Sequence, residues 1–141
     1  MKRRILPTGL ALIALLAPTA LALGAEEAVA SGTWTKKGYR IAGNWSLIVD
    51  NGARYLVLDE GFKTRKAPDL KFFLSPRPLA DLGDRNALDG GAVLIAPLEA
   101  PRGAQRYALP DDVDLAAFKT LILHCEQYSK LWGGAALGLE P

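Results

Sequence analysis

The sequence predicts one all-β domain, a single antiparallel β-sandwich or Greek-key barrel of about eight strands, preceded by a signal peptide. Three observations carry this. From Gly32 onward, short apolar segments are separated by turn residues, the spacing of a sandwich or barrel. Asp50-Asn51-Gly52 sits between two strand-like runs, and Asn-Gly is the strongest short-range hairpin signal because both residues tolerate positive φ. The first residues carry the three parts of a secretory leader: charged start, apolar middle and small-residue exit.

The leader begins Met1-Lys2-Arg3-Arg4 and runs through an apolar stretch broken only by Pro7, Thr8, Gly9, Pro18 and Thr19. Small-residue exits follow at Ala20-Leu21-Ala22, Leu23-Gly24-Ala25 and Ala28-Val29-Ala30. Residues 1–30 read as signal peptide and junction, and 31–141 as the domain, which places the mature protein in the periplasm or outside the cell. An uncleaved anchor is the alternative, but the run is at the lower limit for a spanning helix, and Pro18 and the exits favour removal. After cleavage no membrane span remains. No cysteine stands near the junction, so a lipoprotein anchor is excluded.

Candidate strands cover residues 33–37, 41–49, 54–59, 71–74, 92–98, 105–109, 120–126 and 128–137. In 41–49, Ile41, Trp45, Leu47 and Val49 share one face. Residues 63–68 read as a basic, solvated loop, and 79–91 as a loop rich in Gly, Asp and Asn. Asp114 caps a short helical turn at 114–118, a better use of Asp111-Asp112-Val113-Asp114 than calcium, because the EF-hand glycine and distal glutamate are missing. Trp34, Trp45 and Trp132 read as core.

Composition narrows the function. The net charge of +2 falls to near neutrality once the leader's Lys2, Arg3 and Arg4 are gone, so no footprint for nucleic acid remains. With one histidine, no Gly-x-Ser-x-Gly and no phosphate loop, a hydrolytic site is hard to build. The single cysteine, Cys125, cannot close an internal disulfide, so the fold stands on its core. Alternation puts Leu121, Leu123 and Cys125 on one face of their strand, with Ile122 and His124 on the other. His124 is therefore not a ready base for the thiol, and the pair leaves too few ligands for a protein-only zinc or copper site. Cys125 reads either as a small buried hydrophobe or as a reactive thiol. Because Glu126-Gln127 looks like a turn, the sulfur is expected at the rim of the core, shielded on one side and reachable on the other.

The chain from Gly32 to Leu137 resembles the electron-transfer DM-thirteen domain, a small extracytoplasmic β domain that also occurs beside DOMON domains. The matching pieces occur in order. They are Gly32-Thr33-Trp34, Ile41-Ala42-Gly43-Asn44-Trp45, Leu56-Val57-Leu58 with Phe62, and Ala67-Pro68-Asp69-Leu70-Lys71-Phe72-Phe73-Leu74-Ser75. Gly103-Ala104-Gln105-Arg106-Tyr107-Ala108-Leu109-Pro110 and the ending from Leu121 through Cys125, Tyr128 and Trp132 complete the set. One departure is His124, where an aromatic such as Trp is frequent. The resemblance implies that Cys125 is the redox candidate, as a reactive or ligating thiol in an exported electron-transfer accessory domain. A lone thiol can form a sulfenic acid, a mixed disulfide, or a metal or haem bond, so such work needs an envelope redox partner protein or a cofactor whose identity is open. The alternative is a non-catalytic binding module in which Cys125 is structural.

Overall fold

The computed structural model describes residues 26–139. The leader and its exits at Ala22 and Ala25 lie outside them. Within them the chain is all-β, an antiparallel sandwich of two sheets with a short two-stranded ribbon at one end.

The strands are β1 (Glu27–Thr33), β2 (Thr35–Lys36), β3 (Ile41–Ala42), β4 (Asn44–Asp50), β5 (Ala53–Leu58), β6 (Lys63–Thr64), β7 (Leu70–Ser75), β8 (Val93–Pro97), β9 (Gln105–Ala108), β10 (Thr120–Cys125) and β11 (Lys130–Ala136). One sheet has the order β1-β4-β5-β9, the other β2-β11-β10-β7-β8, and β3 pairs with β6.

Eleven strands replace the expected eight or so because the expected strand 41–49 is broken in two and β1 and β6 form in stretches that read as junction and loop. Gly43, at φ 91°, divides residues 41–49: β3 leaves to pair with β6 while β4 continues into the sheet. The chain passes so close to the turn at Gly61–Phe62 here that only glycine fits. Asp59 fastens the crossing. Its carboxylate accepts from the Asn44 amide at 3.0 Å, the Asn44 side chain at 2.7 Å and the Gly61 amide at 3.1 Å, and these donors, the Asn44 amide foremost, hold its pKa below the usual carboxylate value. β1 begins inside the stretch read as junction. Glu27–Thr33 lacks apolar alternation because it is an edge strand, held by its ladder to β4 rather than by a buried face.

The Asn51-Gly52 hairpin forms as expected. Asn51 has φ 50° and Gly52 φ 81°, the pair of positive values a two-residue turn requires, and Asp50 faces Ala53 across it. A Cβ at Gly52 would meet nothing within 4 Å. Gly52→Val therefore tests backbone strain alone, and should lower the urea midpoint by an amount worth about 1 kcal/mol. An unchanged midpoint would show that the turn tolerates another geometry.

The main core lies between the sheets and includes Trp45, Leu47, Leu56, Phe72, Leu121 and Trp132. All three tryptophans pack there, Trp34 only partly buried. Phe73, Ile122 and Leu131 point the other way from β7, β10 and β11, and Leu82, Ala87 and Leu88 of the 79–91 segment cover them. That segment is thus a lid of apolar side chains rather than a free loop. The capping role of Asp114 holds: its side chain accepts from the Ala116 amide at 3.1 Å and opens a short 3₁₀ turn, Leu115–Ala117. The Arg54 guanidinium braces the same loop by donating to the carbonyls of Pro110, Asp111 and Val113.

Candidate functional site

Cys125 ends β10, the middle strand of the five-stranded sheet, with Leu70 of β7 and Lys130 of β11 as its cross-strand neighbours. It faces the main core with Leu121 and Leu123, as alternation predicts. The expected reachable rim is corrected: Cys125 is at the strand end, but its exposure is 0%. It is buried among the side chains of the main core between the sheets, and the turn that follows it is pinned. Asp69 accepts from the Glu126 amide through its carbonyl at 3.1 Å and from the Gln127 amide through its carboxylate at 2.9 Å. The turn is thereby folded back on the start of β7, and Lys71 ties Asp69 to Glu126 at 3.2 and 3.1 Å.

His124 lies on the opposite face, with its ring edge-on to Phe73 at 6.4 Å between centroids, and it is 3% exposed. It offers nothing to the thiol. Its Nδ1 is buried without a hydrogen-bond partner among the described residues. Burial pushes the imidazole below its ordinary pKa, against an opposing pull from the carboxylates of Asp84, Glu126 and Asp69. The folded-state pKa thus lies under the unfolded value near 6.5, and the unfolded chain takes up the proton more readily. His124 supports the fold fully above that pH, and the support drains away as the pH falls toward and through the folded-state value. His124→Phe should flatten the dependence of the urea midpoint as the pH falls below about 6.5, above the range where Asp59 and Asp84, both held below the usual carboxylate value, titrate. An identical slope in the variant would assign the pH sensitivity elsewhere.

Among the described residues, no three His, Cys, Asp or Glu side chains gather as a metal site would require. A broad concavity lies instead over the β3–β6 ribbon. It has a volume of about 570 Å³ and is lined by Tyr39, Arg40, Ala42, Lys63, Thr64 and Arg65. Its floor is internally bonded: the Trp132 indole donates to the Thr64 hydroxyl at 3.0 Å, which donates to the Arg40 carbonyl at 3.1 Å. The loop read as merely basic and solvated therefore forms one wall of a cleft, with β6 inside it. The signal was present in the sequence as two stretches free of acids, 33–49 and 62–68, but nothing local showed that they meet.

A family model described as electron transfer DM13 matches residues 34–137, so nearly all of the sandwich, Cys125 included, falls within it. No curated protein and no solved structure matches closely enough to add a second relative.

Proposed function

This chain belongs to the electron transfer DM13 family, and from that premise we propose that it is an exported redox accessory domain in which Cys125 is the exchanging group. The observation that carries the reading is where the one thiol stands. It is packed against the main core, but it is the last residue of its strand, directly before a hydrogen-bonded turn at residues 126–129.

Opening that turn would let the thiolate attack one sulfur of a partner's disulfide. A bond forms between Cys125 Sγ and that sulfur as the partner's S–S bond breaks, and the departing thiolate takes up the proton that Cys125 gave up. One thiol and one disulfide stand on each side of the exchange. The redox poise is then set by the partner.

Export rests on the leader, and β1 refines the cleavage site. Cleavage after Ala30 would cut through a strand paired with β4, whereas cleavage after Ala22 or Ala25 keeps it whole. N-terminal sequencing of the envelope protein should find Leu23 or Glu26 first.

The complete burial of Cys125 favours a second reading, a binding module in which the cysteine is structural. Mass analysis of protein taken from its own envelope without reductant separates the two. Mass added at Cys125, or a crosslinked partner that disappears in Cys125→Ser, supports the redox domain. A uniformly free thiol, with no crosslink under oxidising challenge, leaves the binding module.

A further inference from the structure

We infer that the basic face around the β3–β6 ribbon docks an acidic segment of a partner protein, seating it beside the strand end that carries Cys125. This rests on the reading above that the domain works with a protein partner.

The face is more than one cavity. A second concavity of about 390 Å³ shares Tyr39 and Arg65 with the first and extends past Lys66 to Tyr128, Lys130 and Trp132. A third, of about 170 Å³, shares Lys66 and Ala67 with the second and reaches Leu70. Together they follow the 63–70 segment as an elongated groove, the shape for an extended chain rather than a compact molecule.

Its charge is one-sided. Arg40, Lys63, Arg65 and Lys66 are exposed and form no ion pair among the described residues, and the same holds for Arg102, which bridges to Lys63 through the backbone. By contrast Lys71, Arg106 and Lys130 each have carboxylate partners. The one carboxylate lining the groove is Glu99, in its smallest part. Unpaired like charges held together repel one another, and an acidic partner relieves this while being steered to the face.

The groove also says what it does not take. The ring of Tyr39 already carries Trp132 at 4.1 Å and the Arg65 guanidinium at 5.3 Å, so it is no open platform for a base or a sugar. The Thr64 hydroxyl is committed on both sides. What is left to recognise a ligand is cationic charge plus Tyr128, which is 66% exposed, and arginine with tyrosine is the pairing that anchors protein contacts.

The groove also touches the thiol's surroundings. Leu70 and Lys130, the two cross-strand neighbours of Cys125, line the third and second concavities respectively. A partner seated there lies beside the turn that follows Cys125, since Tyr128 lines the groove.

The test titrates purified Cys125→Ser protein with poly-L-glutamate at low ionic strength, read by tryptophan fluorescence, since Trp132 lines the groove. Saturable binding is expected, weakened at least tenfold by Arg40→Glu or Arg65→Glu and less than twofold by Lys119→Glu, an equal charge change at the other end of β10. Arg40→Gln and Arg65→Gln, at exposed positions, should show the same order if a reversal perturbs the fold. Equal weakening by all three reversals, or no saturable binding, overturns the proposal. Tighter binding of polygalacturonate than of poly-L-glutamate overturns it in favour of an acidic glycan. Because the variant lacks the thiol, docking can stand if Cys125 proves inert, and redox exchange can stand if docking fails.

Discussion

Native Cys125 should react with a small thiol reagent at least about a hundredfold more slowly than in the unfolded chain, and recover its full rate in denaturant. With 0% exposure, the reagent reaches the sulfur only in opened molecules. Opening the 126–129 turn breaks the two bonds to Asp69 and the Lys71 bridge, but does not require the sandwich to come apart. The reaction therefore reports a local equilibrium, whose free energy lies between that of fraying and that of global unfolding. Asp69→Ala, which removes the carboxylate that holds Gln127 and Lys71, should speed the reaction severalfold with a smaller effect on global stability. Cys125→Ser should cost about 1–3 kcal/mol, because a hydroxyl replaces sulfur where no partner waits. A native thiol that reacts as fast as a peptide would mean the turn does not close.

Gly43→Ala should be the more damaging substitution, costing about 3 kcal/mol or more and displacing the β3–β6 ribbon. An added Cβ would stand 2.5 Å from the Phe62 amide nitrogen and 2.7 Å from the Gly61 carbonyl carbon, both backbone atoms that cannot swing aside. The φ of 91° adds strain of its own. The contrast with Gly52, whose surroundings are empty, separates conformation from collision. The urea midpoint measures the loss, and the groove offers a second readout, since Ala42, Lys63 and Thr64 lose their placement with the ribbon. A variant that keeps both its midpoint and its binding of poly-L-glutamate would show that the crossing can relax.

The legible features were those that nearest neighbours decide. Asn51-Gly52 needs only its own two dihedral angles, Asp114 only the amide two residues on, and the facing of Leu121, Leu123 and Cys125 only the alternation of a strand. The illegible ones depend on distant chain. The break at Gly43 is imposed by Gly61 and Phe62, and a lone glycine in an apolar run gives no hint of that. β1 exists because β4 pairs with it. The turn after Cys125 is pinned by Asp69, 58 residues before Gln127. The family resemblance could place the cysteine in its strand but said nothing of its cover. The groove needs segments near 40, 65, 100 and 130 to converge, and no motif spans such gaps.

The order of strands in the five-stranded sheet sets a clock on the thiol. Its middle member, β10, is next to last along the chain, while its neighbour β7 and β8 beyond that are made well before it. A chain made from its amino end can complete the hairpin of β4 and β5 early, but this sheet stays incomplete until residue 136 has emerged. Pairings so far apart in sequence form slowly. Until β11 pairs, Cys125 lacks one of its two strand neighbours, so its burial is completed among the last steps of folding. The sulfur is thus open to solvent once during folding, before its sheet closes, and afterwards only in molecules that open again.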